Sequence, residues 1–325
     1  MATMVNEDRH GYHEMLQTLS EASVHQHFDA FLDIDWDNPD FAVDRSDKRW
    51  ILGREDALGR HPWYQSLPTE RQIEVGIYRW ALICKVGLQF EQMLISGIMN
   101  HAMTLDNSNP EFRYSTHEAT EECHHTQMFQ EFVNRTGCEV SGAPIWFRRL
   151  MPVASALAAW WPPLFWFGVL AGEEPIDYLQ KELLRSDSHE LHPLLQRIIQ
   201  IHVAEEARHI GFAHQYLAEH VPQMSLRGKT ALGVMVPLIM RGLCDVIMIP
   251  SKEHRLAMGI PYEVAREVWW TDPASSKQLR DLFGDVRMLT EQLGLRGPVA
   301  RRMWRKMGIE GRPTRFRSQP RTATL

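Results

Sequence analysis

Apolar residues recur at helical spacing through most of the chain from residue 69 onward. Thr69-x-x-Gln72 has the form of a capping box and opens a long apolar-periodic run to about Thr104. Asn109-Pro110 supplies a cap and a first helical position for the next helix, which ends near Gly137. Further helices are predicted over 146–160, 164–185, 193–220 and 226–248, with one more after about 276. No apolar–polar alternation persists over five positions, so no strand is predicted. Residues 1–65 read as irregular, with short helices at most, and DIDWDNPDFAVDRSD reads as surface loop. The expected organisation is a loop-rich extension (1–65), a helical bundle (66–250), and a C-terminal helical segment (251–325) ending in a basic tail. The fold class is all-α, with four helices long enough for a four-helix bundle and additional helices around it.

Met151–Gly172 contains no Asp, Glu, Lys, Arg or His and has the length of a membrane span. Trp161-Pro162-Pro163 interrupts it, so it reads as two buried helical pieces meeting at a break. The formal charge of −6 demands neither nucleic acid nor an anionic membrane as partner. The basic C-terminal tail reads as a solvated terminus. The four cysteines form no C-x-x-C pair and are too few for a disulfide framework. The N-terminal residues lack the apolar core of a secretory signal. A cytoplasmic protein is expected.

Two segments resemble each other: EATEECHHTQMF (118–129) and HVAEEARHIGFA (202–213). Each contains Glu-Glu-x-x-His, giving the E-x-x-H pairs Glu122/His125 and Glu206/His209. Residues three apart share a helix face, so each pair can reach one metal ion. A single E-x-x-H is weak evidence. A di-metal carboxylate bundle also needs one lone Glu from each of two other helices. Glu91 is the only Asp, Glu, Lys or Arg between Lys85 and Asp106, and its helical neighbours are apolar. A buried carboxylate there needs a cation, a hydrogen-bonding partner or a proton. The other lone Glu comes from Ala-Gly-Glu-Glu-Pro (171–175). Glu173 shares a face with Trp166, Val169, Leu170 and Ile176, whereas Glu174 lies with Asp177 and Lys181 and reads as solvated. Glu173 is the choice, and Pro175 is expected to break or restart the helix beside it. Glu91 precedes Glu122 by 31 residues and Glu173 precedes Glu206 by 33, the spacing of a duplicated helical hairpin. Within the first Glu-Glu pair, Glu122, His125, Phe129 and Phe132 form the more apolar stripe, and Glu121, His124, Met128 and Glu131 the more polar one. His202 lies on the stripe of Glu206 and His209 and is either a further ligand or a core residue.

His202-Val-Ala-Glu-Glu206-Ala-Arg-His209, preceded by Ala-Gly-Glu173-Glu-Pro-Ile, resembles the signature of the p-aminobenzoate N-oxygenase family of di-iron oxygenases. The resemblance covers roughly residues 70–220. It implies a ferritin-like bundle with Glu91, Glu122, His125, Glu173, His202, Glu206 and His209 as metal ligands, His202 being the family's extra histidine. It implies an O2-dependent oxidoreductase with two iron ions, O2 as co-substrate and an external electron donor or reductase. The substrate implied is a small aromatic amine, carried through the hydroxylamine toward a nitroso or nitro product. Seven N/O donors without cysteine also suit manganese. The alternatives are a di-iron hydroxylase or desaturase and a non-enzymatic ferritin-like iron-binding protein, since fold and ligands do not determine substrate. A homodimer is one assembly expected. Ile145-Trp146-Phe147, Trp160-Trp161 and Phe165-Trp166-Phe167 are candidates for an apolar substrate wall, or for plain core packing.

Overall fold

A computed structural model describes residues 2–186, 190–269 and 271–314, with side chains from residue 11 onward. The described residues contain helices and no strand. In chain order the helices are α1 (Ala2–His25), α2 (Pro62–Gln65), α3 (Thr69–Ala102), α4 (Glu111–Thr136), α5 (Ile145–Ala154), α6 (Leu157–Trp160), α7 (Pro162–Arg185), α8 (Pro193–His220) and α9 (Leu226–Met248). Shorter helices follow: α10 (Lys252–Ala257), α11 (Tyr262–Val268), α12 (Pro273–Leu282), α13 (Gly284–Gln292) and α14 (Pro298–Lys306).

The core is a four-helix bundle of ferritin-like type made from two hairpins. α3 packs along α4, α7 packs along α8, and α4 meets α8 across the bundle axis. α9 lies against the outer side of α7, and α1 crosses both α4 and α8. Local chemistry sets the boundaries. α4 stops at Gly137, whose φ of 63° is the left-handed conformation that closes a helix cheaply only with glycine. Trp161 leaves helical geometry at φ −144°, and α7 begins with Pro162 and Pro163, where the missing amide hydrogens cost nothing. The apolar stretch 151–172 is therefore two helical pieces meeting at the predicted break. α3 and α9 each contain a window apolar and long enough to cross a bilayer, and half of each window is buried inside the protein.

Several expectations are corrected. Residues 2–25 form a long helix where irregular chain was expected, and Leu16, Ser20 and Ser23 on it are buried. Thr69 does not cap α3; Pro68 occupies the cap position and no side chain bonds there. Pro110, expected as the first helical position, is the N-cap of α4, and Asn109 before it accepts from the Glu111 amide at 2.9 Å. Pro175 sits inside α7 without ending it. Among the described residues, five short helices, rather than one, follow α9. The end of the basic tail, from residue 315, lies outside the described residues.

The segment before the bundle docks tightly on α3. A Cβ placed on Gly76 would lie 1.9 Å from the carbonyl oxygen of Trp50. Trp50 is fully buried and stacks on His192, with ring centroids 4.0 Å apart. A glycine within a helix costs about 1 kcal/mol relative to alanine, and here the close approach requires it. Gly76→Ala is therefore expected to lower stability by about 1–3 kcal/mol, against the helix propensity. Chemical denaturation of the two proteins checks the sign; a stabilised variant would mean that the docking of Trp50 gives way easily.

Candidate metal centre

Inside the bundle, α3 contributes Glu91, α4 contributes Glu122 and His125, α7 contributes Glu173, and α8 contributes His202, Glu206 and His209. All seven side chains are buried, with Glu173 the most exposed at 6%. Their donor atoms fall into three overlapping groups: Glu91, His125 and His202; Glu122, Glu206 and His209; and Glu173, His202 and Glu206. Within each group one donor atom per residue lies within 4.8 Å of the others. The structure thus gathers every residue singled out as a candidate ligand into one cluster, the two hairpins contributing from opposite sides.

The inner contacts are short. His209 Nδ1 lies 2.8 Å from Glu122 Oε1 and 3.4 Å from Glu206 Oε1. His125 Nδ1 lies 3.2 Å from Glu122 Oε2 and 3.5 Å from Glu206 Oε1. His202 Nε2 lies 3.3 Å from Glu91 Oε1 and 3.5 Å from Glu206 Oε1.

The outward nitrogens decide what the inward ones can do. His125 Nε2 pairs with Glu205 Oε2 at 2.8 Å, and His209 Nε2 pairs with Glu121 Oε2 at 2.7 Å. His202 Nδ1 pairs with Gln180 Oε1 at 2.8 Å. Each outer partner offers an oxygen acceptor, so the outer nitrogen of each ring carries the proton. With a metal bound and the ring neutral, the inner nitrogen would present a lone pair to the cluster, as metal ligation requires. Glu121 and Glu205 are the first residues of the two Glu-Glu pairs, and each orients the histidine of the other hairpin. Arg208 spans them, with Nη2 2.9 Å from Glu121 and 3.6 Å from Glu205. The chain after α1 closes this layer: the Phe28 amide donates to Glu205 at 3.0 Å, and Arg208 donates to the Gln26 carbonyl at 3.0 Å.

These donors fit metal ions. Glu91 Oε2 and Glu206 Oε2 are buried without a hydrogen-bond partner, and Glu122 Oε1 and His209 Nδ1, 2.8 Å apart, face each other without hydrogen-bond geometry. Orphaned donors converging on one point are what a bound cation would satisfy. Without ions, protons balance the cluster: burial acts downward on His125 and His209, but the neighbouring carboxylates outweigh it and hold both rings toward the charged form. Burial, then the neighbouring Glu122 charge, pushes the Glu91 carboxyl well above its usual range. Burial and Glu206 do the same to Glu173. Burial drives His202 down to about 4, toward the neutral ligating form. For Glu206, burial acts upward but is outweighed by His209 and His202, which hold the carboxyl well below the usual range. Glu121 is held down at about 2: burial opposes this, but the hydrogen bond from His209 and the charges of His209 and Arg208 win.

Sequence reasoning missed the outer layer. Glu121 was assigned to a polar stripe, yet it is 2% exposed and tied to His209. Glu174 was expected to be solvated, yet it is buried and paired with His214 Nε2 at 2.5 Å. Glu118, one turn before Glu122, is fully buried with both carboxylate oxygens unpaired. The repetition of a double Glu in both segments was the available signal for Glu121 and Glu205. The aromatic clusters are also reassigned. Phe147, Phe165, Trp166 and Phe167 are buried core, while Trp146 and Trp160 are 58% and 87% exposed. The narrow cavity beside Glu91, Glu173 and His202 has Trp80, Phe90 and Phe129 as its aromatic wall instead.

A buried Glu/His cluster that could hold metal ions, set inside a four-helix bundle, has the pattern of the di-metal carboxylate bundles. Residues 9–294 match the family described as P-aminobenzoate N-oxygenase AurF, and the chain belongs to that family. It is 49% identical over 314 residues, 97% of this chain and 92% of theirs, to uncharacterized protein Mb0909 of Mycobacterium bovis and uncharacterized protein Rv0885 of Mycobacterium tuberculosis. No solved structure matches the chain.

Removing an outer carboxylate tests the histidine-orienting role. Glu205→Gln and Glu121→Gln are expected to weaken metal binding roughly 10–100-fold with the helical content unchanged. Chelator competition and circular dichroism measure the two quantities. Unchanged affinity in both variants would remove these carboxylates from any part in the centre.

Proposed function

We propose that this protein is a di-iron oxygenase that uses O2 to oxygenate the nitrogen of an aromatic amine, through the hydroxylamine toward a nitroso or nitro product. The observation that carries the reading is the donor set. Four carboxylates and three ring nitrogens converge in a buried site, and the third ring is His202, placed among Glu91, Glu173 and Glu206. Membership of an N-oxygenase family supports the reaction class. Oxygen and nitrogen donors without sulfur suit iron, and manganese is the other metal this set admits. Bound there, two iron ions would supply the activation of O2.

The residues of the chain account for the rest. Glu91, Glu122, His125, Glu173, His202, Glu206 and His209 would hold the ions. Glu121, Glu205 and Gln180 hold the rings in the ligating tautomer. The apolar bundle core keeps water from the reacting centre. In the first oxygenation, one atom of O2 enters an N–H bond of the amine. The other leaves as water, formed with two protons and two electrons from an external donor or reductase. The protein is proposed to work in the cytoplasm, where such donors are at hand.

The test is iron content together with the fate of labelled oxygen. Iron-loaded protein given a reductant, an aryl amine and 18O2 is expected to hold about two irons per chain and to place label on the product nitrogen. His202→Ala is expected to lower that turnover roughly 10–100-fold or more, with iron retained in part. Label on carbon would replace the reading with hydroxylation. Uptake of O2 that stops once the ferrous iron is oxidised, with no labelled product, would replace it with iron storage.

A further inference from the structure

The narrow cavity lies on one side of the centre, and a run of aromatic rings lies on the other. On α3 the cavity residues Trp80 and Ile83 precede Glu91, and His101 follows it. On α7 the order is reversed: Trp166 precedes Glu173, and the cavity residues Ile176 and Gln180 follow. His101 and Trp166 meet edge-on, with centroids 5.9 Å apart. Trp166 and Tyr216 each stand seven residues from a candidate ligand, Glu173 and His209, which is about 10 Å along the helix axis. Phe212, three residues from His209, bridges part of that gap and packs edge-on against Trp166 at 4.9 Å.

From Trp166 the rings stay in contact toward the surface. Trp166 and Tyr216 are 5.4 Å apart, Tyr216 stacks on His220 at 4.0 Å, and Tyr12 of α1 meets His220 at 6.0 Å. Trp166, Tyr216 and Tyr12 are buried, whereas the His220 side chain is 32% exposed. Hydrogen bonding distinguishes the oxidisable rings. Trp166 Nε1 is buried without a partner. Oxidised by one electron, that indole has no acceptor for its proton and stays a strong oxidant of its neighbours. Tyr114 packs on the other side of Phe212, and its hydroxyl is also buried without a partner. A phenol gives up an electron readily only when its proton has somewhere to go, so Tyr114 is no stop on the way. Tyr12 has such a place: its hydroxyl donates to Glu111 Oε1 at 3.1 Å. Glu111 is itself buried, with His101 Nε2 at 3.1 Å and His220 Nε2 at 3.4 Å. An electron lost from Tyr12 with its proton passed to Glu111 leaves a neutral radical rather than a buried cation.

We propose that Trp166, Tyr216 and Tyr12 form a route by which single electrons reach the centre when O2 is activated with no amine in the cavity. The proposal rests on the oxygenase reading for the oxidant, and on the ring contacts for the path. One electron passes from Trp166 to the centre, and Tyr12 refills Trp166 by way of Tyr216. The phenolic proton of Tyr12 moves to Glu111 Oε1. A small one-electron donor in solution, of the ascorbate or thiol class, then reduces the tyrosyl radical, and Glu111 returns the proton. Each O2 is thereby reduced to two waters by four electrons, two from ferrous iron and two along the route, with four protons drawn from solvent. The route leads away from the cavity, so oxidising equivalents are drained without crossing the place where an amine binds. It protects the ligands from the oxidation that the closed centre would otherwise turn on itself.

Electron paramagnetic resonance tests the route directly. Iron-loaded, reduced protein mixed with O2 without amine, and frozen during the first turnover, is expected to show a tyrosyl radical. Ring-deuterated tyrosine assigns it by narrowing the signal. Tyr12→Phe, Glu111→Gln and Trp166→Phe, each checked for iron content and helicity, are expected to lose that signal. Glu111→Gln keeps every ring and removes only the base, so its loss reports proton transfer rather than packing. After repeated exposure to O2, peptide mapping by mass spectrometry is expected to find oxidised side chains around the ligands in Tyr12→Phe. Wild type supplied with ascorbate is expected to be spared. An undiminished tyrosyl signal in folded Tyr12→Phe would overturn the proposal, as would equal ligand damage in Tyr12→Phe and ascorbate-supplied wild type. Turnover with an aryl amine and 18O2 separates the two readings. Labelled N-oxygenated product from a protein that forms no tyrosyl radical without amine upholds the oxygenase and sinks the route. A Tyr12 radical in a protein that oxygenates no amine does the reverse.

Discussion

Four carboxylates, Glu91, Glu122, Glu173 and Glu206, meet in the dry centre of the bundle with three imidazoles. That concentration of buried acid is the constraint on which the rest of the structure depends. Ionised together in a low-dielectric interior, they would repel one another strongly. The protein alone relieves this with protons, keeping Glu91 and Glu173 toward the neutral form and His125 and His209 toward the charged form. Two divalent cations would relieve it more completely. The long apolar faces of α3 and α7, the extra wall from α9 and the covering α1 all serve to keep this acid out of water.

Much of the centre was legible because the same constraint leaves a mark on sequence. Glu91 stands alone in an apolar run, and a charge in such a place needs an explanation. The paired Glu-Glu-x-x-His segments show a repeat, and its spacing from Glu91 and Glu173 reads as two similar hairpins. The choice of Glu173 over Glu174 followed from helix faces, and the structure does bring Glu173 to the cluster. What failed was the assumption that the other face is wet. Glu121 and Glu174 are one position from a ligand candidate, about 100° around the helix. They are buried because α8 and the chain after α1 cover that side. Contacts between residues far apart in sequence leave no periodic signal.

The N-terminal region was illegible for a related reason. α1 lacks a clean apolar stripe; it buries Ser20 and Ser23 and bonds through Tyr12 to Glu111 at 3.1 Å. A helix held by polar contacts looks like loop when only hydrophobic spacing is counted. The short helices after α9 fall below the length at which periodicity is informative. The break at Trp161 and the stop at Gly137, by contrast, were readable because Pro and Gly act through backbone geometry that needs no partner.

The exchange of outer hydrogen bonds has a bearing on how the protein comes into being. His125 is oriented by Glu205, 80 residues further on, and His209 by Glu121, 88 residues back. Neither hairpin can prepare its own histidine. A nascent chain that has finished only α3 and α4 therefore holds a carboxylate pair and an imidazole still free to turn, a poor trap for ferrous iron. The full donor set exists only where the second hairpin is packed on the first. A metal ion would then meet its whole ligand set only in a chain that already has the walls to contain its chemistry.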